Sequence, residues 1–291
     1  MKKMIFLLLS ITLSGAWLAW KAETSSRKIP NSADIISCME SEAVQEYIRE
    51  SGEWSFAALH PSPKSLENWM AQGKRITFPA ADGKDAQGYY VAPRKKSNKW
   101  LIVIQEWWGL NEQIMAEADK YAAELGDFHV LAVDLYDGKV AATPDSAMKY
   151  SRGSDPARMA TIIKAAISNA GKNAGIYSVG WCFGGMWSLQ TAILAGSQAK
   201  GTIMFYGRPE TDLEKLKSIQ CDVIGFFGNL DKSPSPEMVT AFEKNMADAG
   251  KKLETHKYEA GHGFANPSNP RHNPEATADS YSKAISFLKS H

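Results

Sequence analysis

The sequence predicts an α/β fold with a mostly parallel, doubly wound sheet that opens with an antiparallel hairpin. Short apolar runs alternate with stretches of helical spacing from residue 100 onward, as successive strand–helix–strand units require. Two strand-like segments on either side of Asp82 and Gly83 precede them, and an Asp-Gly pair is typical of a hairpin turn. In sheets of this kind, functional residues gather at the carboxyl ends of the strands.

Each element follows from its local pattern. The hairpin strands are predicted at residues 75–79 and 88–93, and the run WLIVIQ at 100–105 is nearly all apolar, as a parallel strand buried on both faces requires. Further strands are predicted at residues 129–133, 174–179, 201–206, 222–227 and 253–258. Helices are predicted at residues 112–125, 145–150, 156–170, 185–194, 236–249 and 276–288.

The composition predicts a folded protein with one large domain. The chain has 291 residues, of which 44% are hydrophobic, and this is enough to bury a full core. Lys and Arg together number 33 against 32 Asp and Glu, which gives a net charge of +1. A basic surface for nucleic acid therefore has no support. We expect a monomer that acts on a small molecule.

The first 72 residues differ from the rest of the chain. Residues 1–22 contain two lysines and then an uncharged apolar run at 4–20, which is the layout of a secretory signal peptide. Because Trp20 makes the cleavage pattern poor, an uncleaved anchor in a membrane stays open as an alternative. Residues 23–72 hold a short helix candidate at 41–50, and we interpret them as an extension packed on a main domain at 73–291.

Cysteine usage fits export with one thiol kept free. The three cysteines are Cys38, Cys182 and Cys221, and an odd count leaves at least one unpaired in an oxidising compartment. A disulfide between Cys38 and Cys221 is the one pairing that spares Cys182.

The segment GWCFGG at residues 180–185 carries the main candidate for a nucleophile. Gly180 and Gly184 flank Cys182 in the pattern G-x-C-x-G, which is the cysteine form of a nucleophile elbow, a sharp turn from strand to helix that leaves no room for larger neighbours. The N-terminus of the following helix favours a thiolate. The alternative is a small buried residue at a tight turn.

Asp231 and His262 supply the other two groups of a triad. Each follows a predicted strand, and the chain order of nucleophile, acid and histidine is that of α/β-hydrolase triads. His262 would accept the thiol proton, and Asp231 would hold the imidazole in one tautomer. Taken singly, Asp231 could be a turn residue and His262 a loop residue, but together with the elbow they predict an α/β-hydrolase fold. The other five histidines lack comparable context.

Residues after the strand at 100–105 are candidates for the same site. A carboxylate at Glu106 is costly unless it is paired or faces a cleft. The backbone N–H groups of Trp107 and Phe183 are expected to form an oxyanion hole. Trp108 and Trp181 are core residues by default and substrate contacts if they face the cleft.

Four segments, taken in order, resemble the signature blocks of the dienelactone hydrolase family (carboxymethylenebutenolidase-like). They are VIQEWWGLN at 103–111, GWCFGG at 180–185, residues 228–231 and AGHGFAN at 260–266. The resemblance implies cleavage of an ester or lactone through an acyl-thioester, with no metal and no cofactor. It assigns the triad to Cys182, His262 and Asp231, the acid that holds the resting thiol to Glu106, and a tyrosine of the cleft wall to Tyr150.

The resemblance breaks at two positions that concern the substrate. Family members that cleave dienelactone hold its carboxylate with two arginines, and here those positions are Ser146 and Asn266. Neither can pair with a carboxylate as a guanidinium does. Lys149, Arg152 and Arg271 are candidate replacements, although solvated surface charges are the simpler interpretation.

We therefore expect an exported hydrolase of esters or lactones whose substrate is not the dienelactone of the family name. One alternative is a protein of the same fold that binds a small molecule without turnover. The other is a thiol redox protein, against which no cysteine lies within a few residues of Cys182 to resolve a sulfenate.

Overall fold

In the computed structural model, which describes residues 41–291, eight strands form one sheet. The strands are β1 (Lys74–Phe78), β2 (Ala86–Val91), β3 (Lys99–Ile104), β4 (Phe128–Val133), β5 (Gly175–Trp181), β6 (Ala199–Phe205), β7 (Asp222–Gly228) and β8 (Leu253–Tyr258). Their order across the sheet is β1-β2-β4-β3-β5-β6-β7-β8. β2 pairs antiparallel with β1 and β4, and the other neighbours are parallel. The predicted fold class is confirmed.

Helices lie between the strands in the predicted alternation. They are α1 (Glu42–Glu50), α2 (Trp54–Ala57), α3 (Glu112–Leu125), α4 (Pro144–Arg152), α5 (Pro156–Ala170), α6 (Phe183–Ala195), α7 (Leu213–Ser218), α8 (Pro236–Asp248) and α9 (Pro274–Ser290). Side-chain caps fix many of the starts, as at Asn111 and Ser235, which accept a hydrogen bond from the backbone N–H three residues on. The sequence did not predict α2 and α7, which are too short to show a helical period.

The centre of the sheet positions the candidate elbow. Residues Leu101–Ile104 of β3 are completely buried, as a strand covered on both faces requires. β5 lies between β3 and β6 and ends at Trp181, and α6 begins at Phe183, two residues earlier than predicted. Cys182 is therefore the only residue between a central strand and a buried helix.

Residues 41–72 lie against the rest of the molecule through specific contacts. Ser41 donates a hydrogen bond of 2.7 Å to Glu210, and the Arg208 guanidinium lies 2.8 Å from a carboxylate oxygen of Glu50. Farther along, the indole N–H of Trp69 donates to Asp119 at 3.0 Å. The exact boundary at residue 72 stays a prediction.

Several predictions fall on residues 1–40 and so lie outside the described residues: the signal peptide or anchor, the first part of the extension, and the pairing of Cys38. Cys221 lies directly before β7 with a free thiol in the structure. Across residues 41–291, no helix has the length and apolar character needed to cross a membrane.

Candidate active site

Cys182 has a backbone conformation that its two flanking glycines make possible. Its φ and ψ are 54° and −113°, a strained region for a residue with a Cβ. A Cβ on Gly180 would lie 2.1 Å from the carbonyl oxygen of Gly184, and one on Gly184 would lie 2.3 Å from the carbonyl oxygen of Ile104. The close approach of β5, α6 and β3 therefore requires glycine at both positions, as the G-x-C-x-G pattern predicts.

Asp231 and His262 are joined by a buried hydrogen bond. Nδ1 of His262 lies 2.8 Å from Oδ2 of Asp231, and the second carboxylate oxygen accepts from the backbone N–H of Ser233 at 2.9 Å. The loops after β7 and β8 carry the two residues. The bond holds a proton on Nδ1, and the buried Nε2 has no partner within hydrogen-bond distance.

The charge of His262 depends on its two acidic neighbours. Burial opposes the imidazolium, but the negative charges of the Cys182 thiolate and of Asp231 outweigh it and hold the pKa of His262 well above its usual range. With its pKa raised in this way, the imidazole of His262 is a strong base for a proton of a neighbouring group.

The thiol is covered by the extension. Cys182 is only 3% exposed, and the Tyr47 hydroxyl of α1 lies 3.9 Å from its sulfur. His60, just after α2, lies closer, with Nε2 at 3.4 Å from Sγ. The nitrogen and sulfur atoms that His60, Cys182 and His262 offer as ligands lie within 4.8 Å of one another. The site thus contains two groups from outside the predicted triad, Tyr47 and His60.

His60 is the residue that sequence reasoning missed. Its ring stacks on Phe56 at 3.9 Å between centroids and lies 4.9 Å from the ring of His262. Nδ1 lies 2.8 Å from the carbonyl oxygen of Phe56. Burial, followed by the charge of His262, lowers the pKa of His60 well below its usual range, so this imidazole is neutral near pH 7.

Glu106 is bonded to two side chains of the site, and its role as the acid that holds the resting thiol stays a prediction. Its carboxylate accepts hydrogen bonds from the amide of Asn266 at 2.8 Å and from the hydroxyl of Tyr206 at 3.4 Å. Burial raises the pKa of Glu106, against the opposing effects of His262 and of these two donors. Among the described residues, His60 and Tyr47 contact the resting thiol, and the hydrogen bonds of Glu106 go elsewhere.

The two predicted oxyanion donors lie at suitable points of the backbone. Phe183 is the first residue of α6, so its N–H has no acceptor within the helix. Trp107 comes three residues after the end of β3 at Ile104, is completely buried, and has its ring 5.3 Å from those of Phe56 and His60. Their role as an oxyanion hole stays a prediction.

A mainly apolar cavity of about 150 Å³ lies on the Glu106 side of the site, and a larger one of about 440 Å³ is lined by Asp231 and His262. Among the residues that line the smaller cavity are Glu106, Trp181, Phe205, Tyr206, Asn266 and Tyr281. Of the predicted substrate contacts, Trp181 lines this cavity. Trp108 is buried with its ring 5.2 Å from that of Trp107, and Tyr150 is half-buried with its ring 6.4 Å from that of Tyr136. Contact of Trp108 and Tyr150 with substrate stays a prediction.

At the two positions where the resembled family has arginines, this chain has side chains that make other hydrogen bonds. The Ser146 side chain belongs to a capping box with Thr143 at the start of α4, and the Asn266 amide is bonded to Glu106. Of the candidate replacements, Arg271 donates to the carbonyl oxygen of Leu59 at 2.8 Å, Arg152 donates to that of Gly52, and Lys149 is exposed. Two of these three cations thus hold the extension in place.

Comparisons with known proteins agree with this fold. The model of the family described as "Dienelactone hydrolase family" matches residues 86–291. "Protein usf" of Aquifex pyrophilus is 26% identical over 232 residues, which cover 75% of this chain and 98% of that protein. A carboxymethylenebutenolidase of Pseudomonas sp. (strain P51) is 26% identical over 232 residues, covering 74% of this chain and 94% of that protein.

Solved structures share the fold. A putative dienelactone hydrolase from Klebsiella pneumoniae superposes with a TM-score of 0.67 at 19% identity and covers 75% of this chain and 98% of its own. An esterase from Pyrococcus furiosus gives 0.59 at 16% identity, covering 79% and 99%. At this level of identity the likeness concerns the α/β-hydrolase architecture.

Proposed function

The chain belongs to the dienelactone hydrolase family and is a hydrolase of esters or lactones, and we propose that it works through an acyl-thioester on Cys182, with His262 as base and acid and Asp231 as its partner. The observation that carries the proposal is the buried 2.8 Å bond between Asp231 and His262, which leaves the imidazole Nε2 unpartnered beside a cysteine on a strained elbow.

The first half of the reaction forms the thioester. Sγ of Cys182 attacks the carbonyl carbon, and the thiol proton resides on Nε2 of His262. The oxygen that becomes negative is stabilised by the N–H groups of Trp107 and Phe183. When the tetrahedral intermediate collapses, the bond to the alkoxide breaks and His262 gives its proton to the leaving oxygen.

The second half hydrolyses the thioester. A water molecule adds to the acyl carbon while Nε2 of His262 accepts one of its protons. The C–S bond then breaks, the carboxylic acid leaves, and the proton returns to the pair formed by Cys182 and His262. Asp231 keeps the imidazole in the tautomer that both steps need.

We propose an apolar or aromatic acyl group as the substrate class. Aromatic rings of Trp181, Phe205 and Tyr281 line the smaller cavity, on the Glu106 side of the site, and burial of an apolar group there is favourable. The side chains of Ser146 and Asn266 are engaged elsewhere and carry no positive charge. A dienelactone carboxylate would therefore lack the pair of guanidinium partners that the family resemblance describes.

The test compares hydrolysis of aryl acetate esters by the wild-type protein and by Cys182→Ala. We expect the variant to lose nearly all turnover, and intact mass after brief exposure to ester should show one acetyl group on the wild-type chain. Cys221→Ala is the matched control, because it removes the other described thiol from the start of β7. Equal rates for wild type and Cys182→Ala would refute the thioester mechanism.

Two further parts of the proposal have their own tests. We propose export through residues 1–22, and intact mass of the protein recovered from outside the cytoplasm would show whether the segment is removed.

Binding without turnover is the alternative function, and the cover that Tyr47 and His60 place over the thiol is the observation in its favour. No turnover over a panel of esters, together with no alkylation of Cys182 by iodoacetamide, would favour it.

A further inference from the structure

We propose that Cys182, His262 and His60 together form a binding site for Zn²⁺, and that the bound metal switches off ester hydrolysis. The inhibitory part rests on the proposed function, because the metal would occupy both the nucleophile and the base. The binding part rests on geometry alone. Three ligand atoms of the kinds that zinc prefers, one sulfur and two imidazole nitrogens, lie within 4.8 Å of one another.

Both imidazoles present the correct nitrogen. Nδ1 of His262 is bonded to Asp231 and Nδ1 of His60 is bonded to the carbonyl oxygen of Phe56, each at 2.8 Å. Metal-binding histidines almost always use one ring nitrogen in this way, because a bond to a carboxylate or carbonyl fixes the tautomer and frees the other nitrogen for the metal. In both residues Nε2 is the nitrogen left for the metal, and that of His60 already contacts Sγ of Cys182.

One of the three distances between ligand atoms already matches a zinc site, and the others are at most 4.8 Å. A tetrahedral zinc ion with bonds of about 2.3 Å to sulfur and about 2.0 Å to nitrogen separates a sulfur from a nitrogen ligand by about 3.5 Å. Nε2 of His60 lies 3.4 Å from Sγ of Cys182, so this pair is already at the bridging distance. Nε2 of His262 is buried and has no partner within hydrogen-bond distance, and it releases its proton when it binds the metal.

The ligand set favours a particular class of ion. Thiolate and imidazole select zinc and similar borderline or soft cations over magnesium and calcium, which need oxygen ligands. Three protein ligands leave a fourth position for water. His60 is the decisive member, because without it the site offers only the two ligands of a Cys-His pair.

The test measures metal binding directly in the full chain after treatment with a chelator. Co²⁺ added to the wild-type protein should give the intense near-ultraviolet absorption of a cobalt–thiolate bond, and Zn²⁺ should displace it with one ion per chain. Competition with a chromophoric chelator gives the affinity. We expect His60→Ala to weaken Zn²⁺ binding at least about tenfold. His256→Ala is the matched control, since that histidine pairs with Glu254 on β8.

A second variant and a second readout keep the outcome interpretable. His60→Gln, compared by thermal unfolding with wild type, guards against misfolding of the alanine variant. Zn²⁺ should inhibit aryl ester hydrolysis by wild type, a chelator should restore it, and each His60 variant should need at least about ten times more Zn²⁺ for the same fractional inhibition.

The possible results separate this proposal from the hydrolase mechanism. Absence of a cobalt–thiolate band, or equal Zn²⁺ affinity for wild type and both His60 variants, overturns the metal site even if Cys182-dependent hydrolysis is intact. Tight, His60-dependent Zn²⁺ binding in a protein that hydrolyses no ester supports the site and refutes the thioester mechanism instead.

Discussion

Substitution of Gly180 by alanine should damage both stability and turnover. The added Cβ would lie 2.1 Å from the carbonyl oxygen of Gly184, whereas ordinary contacts at such positions begin at 3.4 Å. The obstacle is backbone, so β5 and the start of α6 must separate by about 1 Å. Overpacking of this kind costs about 3 kcal/mol or more, which corresponds to a fall in Tm of about 6–12 °C for a domain of this size.

The same displacement should also lower the rate of ester hydrolysis. It moves Cys182 and the N–H of Phe183 relative to His262, and a misplacement of about 1 Å can reduce the rate about a hundredfold. Differential scanning calorimetry and kcat/KM on an aryl acetate measure the two effects. Gly175→Ala is the matched control on the same strand, since its Cβ would approach most closely the flexible side chain of the exposed Lys200, at 3.2 Å, and would meet other atoms only at 3.7 Å or more. A Gly180→Ala variant with a Tm within about 2 °C of wild type and unchanged kcat/KM would refute the reasoning.

Two other predictions follow from the buried carboxylates. Asp231→Asn should lower kcat by about 10³–10⁴ with little change in Tm, because His262 loses the partner that fixes its tautomer. The exposed Asp248→Asn is the control. A fall in kcat of less than tenfold for Asp231→Asn would contradict the assignment. Burial raises the pKa of Glu106, so its contribution to stability is most favourable below its ordinary pKa and declines as the pH rises to the higher folded value. Glu106→Gln should therefore raise Tm relative to wild type at pH 7 but not at pH 4, with the exposed Glu112→Gln as control, and an equal shift at both pH values would count against it.

The elbow could be predicted from the sequence because its requirements are local. Gly180 and Gly184 stand two residues either side of Cys182, and the close approach of backbone that makes them necessary is a property of any strand that turns sharply into a buried helix. The position of Asp231 and His262 after strands was equally readable, since the carboxyl ends of parallel strands share one edge of the sheet.

His60 could not be predicted in the same way. It is 122 residues from Cys182 in the chain, and no strand or periodic pattern fixes where residues 51–72 run. Its position depends on tertiary packing, since α1 lies against α4 and α6 and Phe56 of α2 packs on Trp107. The hydrogen bond from Asn266 to Glu106 could not be predicted for a related reason. The sequence shows that residue 266 has no guanidinium, but it does not show which residue the Asn266 amide contacts.

The placement of His60 means that the region matched by the family model and the region that forms the site do not coincide. The family match begins at residue 86, and it includes every member of the triad. Residues 41–60 lie outside it, yet they supply two of the groups nearest to the sulfur, Tyr47 and His60. A relative could share the whole matched region and still surround its nucleophile with different neighbours. Activities should therefore be transferred within this family only between chains whose N-terminal segments have also been compared.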